Sequence, residues 1–218
     1  NGFRHNLQSL RVIDSLENNG LGLNLTAEVR NGIVNHSKSN KSVFGKDWGL
    51  TGSLEGDIVK ISDLIAYVNH DIEDAVRSGT ISCFNLPAYA VNVLGTSHSK
   101  RIDNIVKDVI NCSWSVTQRT DPEHLYISMS SRTISAIDQL QDFLFDKVYE
   151  KQKYLPEAKE AKLLLKKLFV FYLNNPEMLP NNYCHKSDDI EVVVLDYIAG
   201  MTDRYALKLG KSLGLSYE

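Results

Sequence analysis

Cysteine is scarce: Cys83, Cys112 and Cys184 are the only three in 218 residues, none in a CxxC spacing. An odd, widely spaced set argues against a disulfide framework or a zinc knuckle, and points to a reducing, cytoplasmic setting. Long apolar runs are also missing. Nothing approaches the roughly 20 residues a membrane-spanning helix needs, and the first residues lack the basic, apolar, small-residue order of a signal peptide. The reading is a soluble protein with no membrane role. There is little excess charge: 24 Lys and Arg face 27 Asp and Glu, for a formal charge of -3. No global field therefore favours nucleic acid or an acidic membrane, so any polyanion site must be a local cluster. A phosphate-cradling GxxxxGK[ST] loop is absent, since GLGLN at Gly20 to Asn24 lacks the Lys and the hydroxyl residue. That removes the commonest nucleotide-hydrolysis machinery.

What is present is a hydrophobic fraction of 43%, enough for a sizeable core. Its spacing is helical. Phe3, Leu7, Leu10, Val12, Ile13 and Leu16 predict one amphipathic helix, and Asn24 or Thr26 caps a second that runs to about Val34. Asn35 to Lys46 reads as loop. The longest helix is expected from Ser53 to Arg77, with Leu54, Ile58, Ile61, Leu64, Ile65, Val68, Ile72 and Val76 as its apolar stripe and Gly79 as its stop. Further helices are expected from Lys100 to Ser115, through Ile134 to Val148, after Pro156, after Asp188 or Asp189, and after Thr202 or Asp203. Val116 to Ser130 reads as irregular or briefly extended. Without a convincing sheet or an internal repeat, the fold class is all-α, a multi-helix globular bundle.

Within the long helix, Asp63, Tyr67 and Asp71 follow one another at i, i+4 spacing and so share a face beside the apolar stripe. By spacing alone this is either a solvated face or the lining of a site. Carboxylates are hard oxygen donors for magnesium or manganese, and a phenol can donate to a sugar or phosphate oxygen.

Three segments turn that choice. FRHNLQSLRVID (Phe3 to Asp14), LEGDIVKISDLIAYVNHDIEDA (Leu54 to Ala75) and DYIAGMTDRYAL (Asp196 to Leu207) resemble, in order and across nearly the whole chain, the three best-marked blocks of the dGTPase-like deoxynucleoside triphosphate triphosphohydrolases of the HD superfamily. The resemblance implies an HD-domain helical fold and hydrolysis of dGTP or another deoxynucleoside triphosphate to the deoxynucleoside and inorganic triphosphate. It implies a divalent metal, magnesium or manganese first, with nickel, cobalt, iron or zinc as alternatives. In that reading Asp63 is the last metal ligand. Tyr67 contacts the sugar or phosphate, Asp71 accepts from the 3′-hydroxyl, and His5 approaches the α-phosphate region. Some relatives carry an acid where this chain has Leu7, which leaves a local carboxylate partner for His5 open.

His70 in the NHD triplet imitates the His-Asp metal pair, but the resemblance places that pair before Asn1. The expectation is that residues 1–218 are a single helical domain, the C-terminal part of such an enzyme, inactive by itself. His36 is read as a helix-terminal residue in a family-like stretch. Arg204, and more weakly Lys38, Lys41 and Lys46, are candidates to bind the triphosphate. The resemblance also implies a homo-oligomer, in some members with a regulatory nucleotide. Two other readings stay open: a non-catalytic nucleotide-binding module, and another HD phosphohydrolase such as a nucleotidase or phosphodiesterase.

Overall fold

The computed structural model describes residues 3–36, 51–118, 126–150, 155–183 and 189–215, and among them every regular element is helical. The helices are α1 (His5–Arg11), α2 (Ala27–Asn35), α3 (Leu54–Arg77), α4 (Ala88–Leu94), α5 (His98–Cys112), α6 (Trp114–Gln118), α7 (Ser131–Leu144), α8 (Pro156–Asn174), α9 (Ile190–Ala199) and α10 (Asp203–Ser212). The all-α expectation holds. Lys38, Lys41, Lys46, Cys184 and Asp188 lie outside the described residues.

Local chemistry accounts for most of the starts. Thr26, Ser53, Ser97, Ser130, Asp189 and Thr202 each turn a side-chain oxygen onto a backbone N–H of the first turn that follows, satisfying a donor that has no partner within the helix. Pro156 opens α8, where its missing N–H costs nothing. Two helices end in a wide π turn, at Val12–Leu16 after α1 and at Phe145–Tyr149 after α7. The helix expected from Lys100 to Ser115 is broken: α5 closes at Cys112 and α6 restarts at Trp114. Ser113 sits buried at the break, its hydroxyl accepting from Ser128 N–H at 3.0 Å.

The chain divides into two compact units, Asn1–Glu150 and Lys151–Glu218. The core of the first gathers Ile61, Val68 and Ile72 of α3, Leu94 of α4, Ile105 of α5 and Ile137, Leu140 and Leu144 of α7, each almost fully buried. Removing such a side chain from water contributes about 1.5–3 kcal/mol. The expected α3 stripe is corrected at Ile58, which is half exposed, while Asp57, Lys60 and Asn69 are buried in its place. The buried face of α3 thus has a polar fraction that hydrophobic spacing does not reveal. In the second unit Leu164, Leu168 and Tyr172 of α8 pack with Val193, Val194 and Tyr197 of α9 and Ala206 of α10. Gly210 of α10 lies so close to α8 that an added Cβ would fall 2.5 Å from Leu164 Cδ1.

Candidate functional site

α3 carries the candidate ladder. Successive i, i+4 positions climb about 6 Å and turn back by about 40° each. Asp63 is accordingly exposed, Tyr67 is 42% exposed, and Asp71, rotated furthest, is half buried. Among the described residues Asp63 makes no hydrogen bond or ion pair.

A residue outside the expected set completes the upper part of the ladder. The Tyr149 hydroxyl donates to Asp71 Oδ2 across 78 positions of sequence. Its ring lies over that of Tyr67, with centroids 6.3 Å apart and planes 27° from parallel. Tyr149 closes the π turn Phe145–Tyr149, whose Val148 enters the core. The extra residue in that turn shifts the register beyond it. Burial first, then the bond to Asp71, raises the Tyr149 phenol far above the ordinary tyrosine range, so it is a permanent donor. The helix expected through Ile134 to Val148 stops one residue short of Tyr149; a phenol directly after an apolar i, i+4 row is the one available signal.

The whole NHD triplet is engaged. Asn69 is fully buried; it donates through Nδ2 to Ile65 O at 2.8 Å and accepts at Oδ1 from Arg101 Nε at 2.9 Å. His70 stacks on His98 at 5.6 Å with planes 12° apart. Asp71 accepts the hydrogen bond of the Tyr149 hydroxyl. Both Arg101 and His98 belong to the first turn of α5, so α5 holds one side of this turn of α3 and Tyr149 the other.

His5 lies at the start of α1, exposed, 5.3 Å edge-on from the ring of His36. Asn6, buried beside it, donates to Val34 O at 2.6 Å, and Arg30 forks onto Asp14 at 2.7 and 3.0 Å. These two ties fasten α1 to α2. His36 Nδ1 lies 2.6 Å from Ile33 O, a carbonyl that can only accept. Nδ1 is therefore the donor to that carbonyl. α2 in turn meets the first turn of α3: Asn31 donates to Thr51 O at 2.6 Å, and Thr51 N–H donates to the buried Asp57 at 2.9 Å. Among the described residues no hydrogen bond, ion pair or ring contact joins His5 to Asp63. Arg204, exposed in the first turn of α10, belongs to the second unit.

As a metal centre the described residues are incomplete. Asp63 is one hard donor, and no group of three His, Cys, Asp or Glu suited to a metal occurs among them. Within the described residues no helix is long and apolar enough to cross a membrane.

Comparison with known sequences shows which proteins the chain resembles. Residues 127–212 match the family of the phosphohydrolase-associated domain. Over 216 residues, 98% of its length, the chain is 43% identical to a deoxyguanosinetriphosphate triphosphohydrolase-like protein of Caldanaerobacter subterraneus subsp. tengcongensis, of which it covers 59%. A protein of the same name from Clostridium perfringens strain 13 is 42% identical over 94% of the chain and 58% of the relative. Another from Geobacter sulfurreducens is 34% identical over all of the chain and 66% of the relative. The chain is thus, along nearly its entire length, a homologue of the dGTPase-like proteins, and it spans about three fifths of the first two relatives.

Proposed function

We propose that the chain is the sugar-binding and part of the phosphate-facing portion of a deoxynucleoside triphosphate triphosphohydrolase. The observation that supports this best is the joining of Asp71, Tyr67 and Tyr149 into one half-exposed group. A carboxylate already held by one phenol keeps Oδ1 and further lone pairs to accept the 3′-hydroxyl, and the paired rings offer a flat wall to the deoxyribose. Crowding by those rings disfavours a 2′-hydroxyl.

In the proposed reaction water attacks the α-phosphorus. A bond forms from water oxygen to phosphorus, the bond to the 5′-oxygen breaks, that oxygen takes a proton from solvent, and deoxynucleoside and triphosphate are released. His5, with His36 beside it, receives the water proton or steadies charge on the phosphoryl oxygens. Arg204, in the second unit, is assigned to the triphosphate by its sequence block alone. HD phosphohydrolases as a group depend on a divalent metal, which polarises phosphate or water when bound. In this chain Asp63 would be one of its ligands, and the described residues do not supply the rest.

The test is to incubate the complete purified protein with each deoxynucleoside triphosphate and a divalent cation and to identify the products. Inorganic triphosphate with deoxynucleoside supports the reading. Orthophosphate or a linear nucleotide would instead assign another HD phosphohydrolase, and tight binding without product a regulatory module.

A further inference from the structure

Arg101 is a buried cation on α5, 3% exposed, whose hydrogen bonds go to Asn69 and Thr96 rather than to the ladder side chains. Its guanidinium is divided between two elements: Nε donates to Asn69 Oδ1 at 2.9 Å and Nη1 to Thr96 O at 3.2 Å. Burial pulls its pKa down, and the Glu73 carboxylate, one turn beyond Asn69 on α3, opposes that. A buried guanidinium is costly to desolvate and is retained only where its fork is matched, which makes it a rigid spacer rather than a loose tie.

What it holds is unusual for a helix interior. Asn69 Nδ2 bonds Ile65 O, the carbonyl that the helix ladder already assigns to the Asn69 N–H. A side chain that bonds back to the i-4 carbonyl competes with the ladder and tilts the turn it spans. The turn from Ile65 to Asn69 contains Tyr67, and Asp71 follows two residues later. Arg101 fixes which way the Asn69 amide faces, because only its oxygen can accept from Nε. It thereby commits Nδ2 to the Ile65 carbonyl. Nearby, His98 stacked on His70 anchors the same end of α5.

We infer that Arg101 is a positioning residue for sugar recognition: acting through Asn69, it sets the α3 turn that aims Tyr67 and Asp71 at the deoxyribose. This rests on the function proposed above. It predicts a specific loss, because a displaced Asp71 forfeits discrimination at the 3′-hydroxyl, whereas general destabilisation lowers the active fraction equally for every substrate.

The experiment uses the complete protein and compares kcat/KM for its best deoxynucleoside triphosphate with that for the 2′,3′-dideoxy counterpart. In Arg101→Lys, which keeps the charge but loses the fork, the ratio falls about tenfold, as expected for a sub-ångström misplacement of a binding group. Asn69→Asp, which keeps the acceptor for Arg101 but loses the Nδ2 donor to Ile65 O, lowers the ratio as Asn69→Leu does. Adding Arg101→Lys to Asp71→Asn produces no further fall. If Asp71→Asn itself leaves the ratio unchanged, the proposed role of Asp71 fails. If Asp71→Asn lowers it while folded Arg101→Lys and Asn69→Leu do not, the role of Arg101 is refuted and that of Asp71 survives.

Discussion

The hydroxyl of Tyr149 donates to Asp71 Oδ2, joining the last turn of the α7 segment to the fifth turn of α3. Two consequences separate on substitution. Tyr149→Phe keeps the ring over Tyr67 and removes only the donor, leaving a half-buried carboxylate short of one partner. Loss of a hydrogen bond to a charged group costs about 1.5–3 kcal/mol when buried and less here, so a drop of about 1 kcal/mol in urea unfolding is expected. In the complete protein the same change is expected to raise KM for the deoxynucleotide several-fold with a smaller effect on kcat. An unchanged KM would mean that Asp71 is held for stability alone.

Asp63 presents the opposite case. It is exposed and, among the described residues, engages no partner, so Asp63→Ala is expected to shift the unfolding free energy by no more than about 0.5 kcal/mol. Release of triphosphate by the complete protein should nevertheless vanish. Near-normal turnover would remove Asp63 from the proposed metal ligands.

How much of this was legible beforehand follows from the range of each interaction. Thr26, Ser53 and Thr202 were readable as caps because capping acts within three residues. The Asp63, Tyr67, Asp71 face was readable because helical period fixes it. Ile58 misled because an apolar residue at the expected spacing does not have to be covered, and the buried Asp57 and Asn69 are matched by partners that periodicity cannot supply, Thr51 in a preceding segment and Arg101 32 residues on. Tyr149 was missed for the same reason, compounded by a π turn that changes register where a 3.6-residue period is assumed.

Gly56 tests the joint between α2 and α3. A Cβ there would collide with Thr51 Oγ1 and lie 2.9 Å from Thr51 Cβ, in the pocket where Thr51 binds Asp57. Thr51 is 1% exposed and has nowhere to retreat. Gly56→Ala is expected to destabilise by about 1–3 kcal/mol despite the better helix propensity of alanine. A neutral or stabilising result in thermal unfolding would show that the Thr51 turn yields.

Alkaline pH offers a test that involves no substrate. Tyr149 and Tyr197 both have phenols raised well above their ordinary range, each chiefly by burial, with Asp71 adding to the first and Tyr205, whose hydroxyl is 3.1 Å away, adding to the second. For a group whose folded pKa exceeds its unfolded value, the folded state binds the proton more tightly, so its stabilisation is complete below the unfolded pKa and is lost above it. With unfolded tyrosine near 10, stability is expected to be flat with respect to these groups at neutral pH and to fall as pH rises beyond about 10. Tyr149→Phe and Tyr197→Phe should each make that alkaline decline shallower in denaturant titrations, although each lowers stability at pH 7. A decline just as steep in the double variant would assign the alkaline loss to other groups.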